Sequence, residues 1–419
     1  MLTLGEHMID VPELGIGERI RHFRIRSGKS QAVLGGLVGR SEDWVSKVER
    51  NLIPVNNFSL LLDIARVLGV RDLSDLTGPA VSLSLTASPR HPAVPAISRA
   101  LNTLPSLLGA DLPGEPLTAA ELAQRVDEAW QIYETHTERY GPVGEMLPGL
   151  LAEAYLTLRT SQGEEEASAA RSLISLLHLL QVYLRRVGER TLATAAADRA
   201  MQIADSTGDP ALIAASAWNV CGILTSSGDV ADSFELARST IDHVRPGDDA
   251  GAEHLSAYGA LHLAAVIAAV RSGRAAAAWD LLHQADAVAA RLGNDRNEFH
   301  TSFGPTNVAM HAVHLAVEEG DAGEALRLAD TVEVPEAGGV LPLERTTRYL
   351  VEVMHANRLV GDDYGTLHVL RNIKEVSPEE IRYFPLVRDA LGALLKRDRP
   401  TYRREVRELA AHVGMLAGA

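Results

Sequence analysis

The sequence predicts an all-α protein in three parts. Five short helices come first, then a proline-rich linker, then a long helical array. Three observations carry this. Ala and Leu dominate a chain that is 46% hydrophobic and only 5% aromatic, and Val and Ile are scattered rather than alternating. That is the profile of packed helices. Apolar residues recur at helical spacing through most of the 419 residues. Glycine and proline interrupt them, at Gly141-Pro142, Gly188, Gly208-Asp209-Pro210 and Gly228 for example, at intervals that suit paired helices of roughly 14–22 residues. The boundaries fall at 1–78, 79–117 and 118–419.

In the first part, one helix runs near Gly17 to Ser27, with Ile20 and Phe23 inward and Arg19 and Arg26 outward. A second starts at Gln31 after the cap residue Ser30, with Leu34, Leu37 and Val38 apolar, and Gly39 ends it. A third runs from Glu42 to Arg50 behind Ser41, with Val45 and Val48 inward. A fourth spans about Phe58 to Leu68, with Leu61, Ile64, Ala65 and Leu68 toward the core, and a turn at Leu73 and Leu76 closes the unit. Ser at a helix start accepts a backbone N–H, and Gly just past a helix end takes the left-handed turn. Two short helices crossing steeply through such a turn form a helix-turn-helix, which presents its second helix to a DNA major groove.

The charge distribution agrees. The whole chain carries −15. Between Gly15 and Arg71, however, ten basic residues face five acidic ones, so that segment has a surplus of about five and the remainder carries about −20. A basic module on an acidic body suits a protein that meets phosphates at one end only. By position in the motif, Gln31 would reach a phosphate or a base edge. Ser41, Glu42, Asp43, Ser46 and Lys47 would face the groove. Arg26, Lys29, Arg40 and Arg50 would neutralise backbone phosphates. Glu42 and Asp43 suit the helix dipole but are repelled by phosphate; either is a helix-start residue or an acceptor for a cytosine amino group. Gly35 and Gly36 cost roughly 1 kcal/mol each inside a helix.

The linker holds prolines at 79, 89, 92, 95, 105, 113 and 116, which prevent long helices. Ala80 to Thr86 alternates apolar residues with Ser, a weak strand signal, and Ala96 to Leu101 has room for a short helix. Beyond it an internal repeat is visible. Ser227-Gly-Asp-Val-Ala-Asp-Ser-Phe returns near Ser272, Glu319 and Val360, with glycines at 228, 273, 320 and 361. Each copy has a small residue five positions after the glycine and a large apolar one next. A small residue lets two helices approach closely, and such units stack into an α-solenoid.

This repeat looks like the tetratricopeptide pattern, with Trp218, Gly222, Gly228 and Phe234 near its signature positions but a longer period. From about Ile16 to Met415 the chain resembles actinomycete transcriptional regulators that join a phage-repressor-like (Xre-type) helix-turn-helix to a tetratricopeptide-like sensor region. Arg90-His-Pro-Ala-Val-Pro95, Phe303-Gly-Pro-Thr-Asn-Val-Ala-Met-His311 and Ser377-Pro-Glu-Glu-Ile-Arg-Tyr-Phe-Pro385 carry that wider likeness. Asn51 stands where the family often has Gly, and Asn tolerates the left-handed conformation. The resemblance implies a homodimer on double-stranded DNA and a peptide or small-molecule signal. In related peptide sensors, asparagines on the repeats hold a peptide backbone. Asn219, His262, Asn307 and His311 are the corresponding polar candidates here, with Trp218 and Tyr258 as apolar walls. Internal hydrogen bonding within the solenoid is the alternative use for each of them.

Enzyme signatures fail on inspection. Gly28-Lys29-Ser30 imitates the end of a phosphate-binding loop, but Phe23 stands where the first Gly is needed. No metal site is expected, since His311 and His314 lack a defined third ligand. No cofactor is expected either. Cys221 is a lone cysteine in an apolar helical pattern, which fits a reducing compartment. No uninterrupted apolar run reaches membrane-span length and no leader pattern is visible, so a cytoplasmic protein without a membrane partner is expected.

Overall fold

A computed structural model of the chain describes residues 15–53, 55, 58–70, 74–77, 91–102, 116–334, 340–378, 381 and 384–416. Among them the structure is all-α, with no strand. Two compact units, Met1–Pro89 and Arg90–Ala419, divide the chain. The strand signal at 80–86 lies outside the described residues, as does Leu73.

The first unit is built from α1 (Ile16–Arg26), α2 (Gln31–Leu37), α3 (Glu42–Glu49), α4 (Phe58–Leu68) and α5 (Ser74–Thr77). Ile20, Leu34, Val45, Val48, Ile64 and Leu76 form its core. Two glycines are there for close approach. A Cβ on Gly17 would fall 1.9 Å from the Val48 carbonyl oxygen, and one on Gly35 would fall 2.6 Å from the Arg40 carbonyl oxygen. The second explains a glycine inside α2. Gly36 has open space around it, and nothing in the structure explains its helix cost. Asn51 is left-handed at φ 58°, and its Oδ1 accepts the Gly17 N–H at 2.9 Å, tying the end of α3 to the start of α1. Arg19 departs from expectation. It is buried, not outward, and its Nη1 reaches the Asp75 carbonyl at 3.4 Å. Of the apolar residues of α2, Leu34 is buried and Leu37 is 58% exposed.

The second unit begins with α6 (Val94–Asn102), whose Val94, Ile97 and Leu101 are fully buried. α6 packs on α8 (Tyr140–Thr160) and on α10 (Arg190–Thr207), so this part of the proline-rich segment belongs to the helical array. α7 (Ala119–Thr135) opens with a capping box between Thr118 and Glu121. α9 (Glu164–Arg186), α11 (Pro210–Ser227), α12 (Val230–His243), α13 (Ala252–Arg271) and α14 (Ala275–Leu292) follow. Then come α15 (Pro305–Glu319), α16 (Ala322–Ala329), α17 (Leu343–Val360), α18 (Asp363–Val376), α19 (Pro385–Arg397) and α20 (Arg403–His412). From α9 on, the odd-numbered helices pack on one another in order, α9 on α11, then α13, α15, α17 and α19. Most even-numbered helices pack beside their odd neighbours. That is the layering of stacked helical hairpins.

The repeat is built as the spacing predicts. Gly228, Gly273, Gly320 and Gly361 end α11, α13, α15 and α17 in left-handed turns. Five residues on, Ser233, Ala278, Ala325 and Thr366 are buried where the next helix meets its partner. The stack also curls. On α17, Glu344 pairs with Arg186 of α9 and accepts the Tyr133 hydroxyl of α7 at 3.4 Å. α9 and α13 are long and apolar enough to cross a membrane by composition, but 78% of the relevant window in each is buried in the stack.

Between α14 and α15 the chain takes an unusual course. Phe299, His300 and Ser302 all have positive φ, at 51°, 59° and 54°. Such residues cost of order 1–3 kcal/mol each. The contacts of this loop offset that cost. The His300 ring stacks on Trp130 at 3.7 Å, Asn297 donates to Glu134 at 3.0 Å, and Phe303 is fully buried against Gly259.

Candidate nucleic-acid interface

The Ser30 hydroxyl accepts the Val33 N–H and the Ser41 hydroxyl accepts the Trp44 N–H, each at 3.1 Å. Both caps are therefore used, and Ser41 is engaged with its own backbone. After the left-handed Gly39, the Arg40 N–H donates to the Gly35 carbonyl at 2.8 Å and closes the end of α2, which sets the turn into α3. Val45 and Val48 anchor α3 from behind. This leaves Glu42, Asp43 and Arg50 exposed, with Ser46 and Lys47 half-buried beside them. Lys47 Nζ lies 3.0 Å from an Asp43 carboxylate oxygen, one turn away. With Asp43 open to solvent the pair is worth little, so Lys47 is readily released to a phosphate or base. The Arg40 guanidinium lies 5.7 Å from the centre of the Trp44 ring, a cation–π distance. Arg26 is exposed and Lys29 half-buried.

Beneath this face lies a buried ion pair that residue patterns alone do not announce. Glu49 is 3% exposed in a segment otherwise rich in base. It accepts Arg24 Nε at 2.5 Å, Arg24 Nη2 at 2.9 Å and Gln31 Nε2 at 2.7 Å. Hydrogen bonding to Glu49 raises the Arg24 pKa despite partial burial. Gln31 is thus oriented by Glu49, with its carbonyl oxygen left over. Around the pair, an open depression of about 470 Å³ is lined by Arg21, Gln31, Ser46 and Arg50 among others. A single acid beside Arg50, on the inward side of a helix in a basic segment, is the only sequence signal for it.

In the second unit the six candidate ligand residues are found mainly in packing roles. The Asn219 amide donates to the Ala215 carbonyl at 3.0 Å. His262 Nδ1 lies 3.0 Å from the Tyr258 carbonyl, and the two rings meet edge-on at 4.6 Å. Asn307 donates to the Ser302 carbonyl at 2.7 Å and accepts Arg345 Nε at 2.5 Å. His311 Nδ1 lies 2.8 Å from the Asn307 carbonyl. Trp218 is half-buried against the core. Asn307 and His311 stand together beside Arg345; Asn219 and Trp218 lie two repeats away. Among the described residues no group of three or more metal-ligating side chains converges.

Burial keeps three histidines neutral. His178, whose Nε2 is 3.0 Å from the Ser216 hydroxyl, is held down to about 3, as are His311 and His355. In the unfolded chain they would titrate near 6.5. As pH falls below 6.5, the unfolded state therefore binds protons first and stability is lost. Each such group contributes about 1.4 kcal/mol per pH unit. The melting temperature is expected to drop steadily from pH 6.5 to pH 4.5, and His178→Gln to flatten that slope. A melting temperature constant across the window contradicts it.

Residues 16–76 match the family described as a helix-turn-helix domain. That span covers α1 to α5 but for the last residue. No curated protein matches the chain. The first unit therefore carries a helix-turn-helix domain, the class of module that binds DNA, and the second is an all-α region of stacked helices.

Proposed function

We propose that the chain is a DNA-binding transcriptional regulator. Its second unit acts as a tetratricopeptide-like sensor and dimerisation region, working inside the cell and catalysing no reaction. One observation carries the reading: a capped α3, held across a Gly35 contact from α2, sits in a basic segment that matches a helix-turn-helix domain. Dimerisation would place two such domains on half-sites one helical turn apart, about 34 Å. A ligand preferring one curvature of the stack would shift that spacing and so the affinity.

The test is salt-dependent binding of the full chain to selected genomic fragments. Lys47→Ala is expected to cost roughly 1–3 kcal/mol and to relax sequence preference. Arg26→Ala should weaken all sequences alike and make the salt slope shallower by about one phosphate contact. Equal, sequence-independent losses from both would mean that α3 does not enter the groove.

A second reading is a scaffold whose first unit docks another protein. Exposed Val33 and Leu37, one turn apart on α2, and the exposed acids Glu42 and Asp43 favour it. Absence of any salt-dependent DNA shift decides for that reading.

A further inference from the structure

Where α9 meets α17, charge of one sign accumulates. Arg185 and Arg186 on α9, Arg345 and Arg348 on α17, and Arg271 on α13 lie within each other's fields. Against these five stand Glu344, Glu352 and Glu318. Arg186 pairs with Glu344, Arg271 donates to Glu318 at 3.0 Å, and Glu352 lies 2.7 Å from His314 Nδ1. The surplus is two positive charges. It falls on Arg185, Arg345 and Arg348, whose only bonds are to neutral groups or to none. Arg185 reaches the Gly222 carbonyl at 3.4 Å, and Arg345 is bonded to Asn307. Arg348 has an exposed side chain and makes no hydrogen bond or ion pair among the described residues.

Surplus charge on half-buried groups such as Arg185 and Arg345 is unfavourable unless something neutralises it. Burial pulls Arg185 and Arg345 down to about 10, which still leaves both charged at neutral pH. Arg348 is exposed at the edge of the same cluster, and desolvation by its surroundings also lowers its pKa. A second observation points the same way. Gln181, one turn before Arg185 on α9, is 1% exposed, and neither its amide nitrogen nor its amide oxygen has a partner among the described residues. Buried amides are ordinarily paired, so this one, a turn from Arg185, has donor and acceptor capacity to spare.

We propose that this cluster binds a small dianion, a phosphate monoester or a dicarboxylate, held by the forks of Arg348, Arg185 and Arg345. Planar guanidiniums match both groups bidentately, and two negative charges balance the surplus. The Gln181 amide supplies a neutral hydrogen bond next to the anion. The site deepens the sensor reading and rests on it for any effect on DNA.

Titration calorimetry of the full chain with inorganic phosphate and with succinate, against chloride at matched ionic strength, tests this. Saturable heat is expected from at least one probe. Response to phosphate alone assigns the ester, and response to succinate alone assigns the dicarboxylate. Arg348→Ala is expected to weaken binding roughly tenfold or more, the ratio for one lost charge-assisted pair. Arg404→Ala, which changes an exposed residue on α20 paired with Glu408, should leave it unchanged. Arg348→Gln keeps much of the side-chain length and should show the same loss where the alanine variant loses helical signal. No saturable heat from either probe overturns the proposal, as does undiminished binding by both Arg348 variants. Binding that leaves DNA affinity untouched sinks the sensor reading instead and keeps the anion site.

Discussion

Replacing Glu49 with alanine is expected to unfold the first unit and abolish DNA binding in one step. Glu49 is buried, and its two carboxylate oxygens together accept three hydrogen bonds, two from Arg24 and one from Gln31. Arg24 is itself largely enclosed, and its Nη1 also donates to the Lys29 carbonyl at 2.8 Å. It thus fixes the turn from α1 into α2. Removing the acid leaves a partly enclosed guanidinium and the Gln31 amide unpaired, a cost that approaches the roughly 3–5 kcal/mol of a broken buried pair. A helical unit of this size has a total stability of the same order. The loss should appear as a lower melting temperature of the full chain's first transition, together with loss of binding to every DNA sequence. Glu49→Gln retains acceptors for Arg24 and should fall between. Lys47→Ala, by contrast, should alter DNA binding at an unchanged melting temperature. A Glu49→Ala chain that melts as the parent does and still binds DNA would show that the pair is dispensable.

The contrast between Lys47 and Glu49 marks what could be read from sequence. Helix positions in the first unit follow from Ser30, Gly39 and Ser41, because caps and left-handed turns are local chemistry. The repeat follows from the glycines at 228, 273, 320 and 361, since a small residue five positions later must meet a neighbouring helix. Long-range electrostatics left no such trace. Arg19 reads as an outward residue on its helix, yet it turns in to the Asp75 carbonyl, 56 residues away. Arg186 and Glu344 are 158 residues apart and meet only because the stack curls. Polar stripes were legible as stripes. Whether Asn307 or His262 bonds its own helix or a ligand depends on backbone carbonyls that no residue pattern announces.

The largest effect expected in the second unit comes from Gly259→Ala. A Cβ at this position would stand 2.0 Å from the Phe303 ring, well inside contact distance. The ring cannot swing away, because Phe303 is fully buried and its loop is held by Asn297 and His300 on Glu134. Three left-handed residues in that loop leave its backbone little freedom to adjust. Overpacking typically costs 1–3 kcal/mol, and outright expulsion of the ring about 3–5 kcal/mol. Here neither ring nor backbone can give locally, so the strain rises past the typical range to the cost of expulsion, and the loop should lift as a unit and free the Trp130 indole that His300 covers. Trp130 donates its Nε1–H to Ser175, so its fluorescence should respond when the stacked imidazole leaves. Phe303→Ala should destabilise by a similar amount through the cavity it leaves. The double variant is the decisive measurement. Two residues in direct contact are coupled, so adding Gly259→Ala to Phe303→Ala should cost far less than it does alone. Strict additivity of the two losses would mean that Gly259 is not there to admit Phe303.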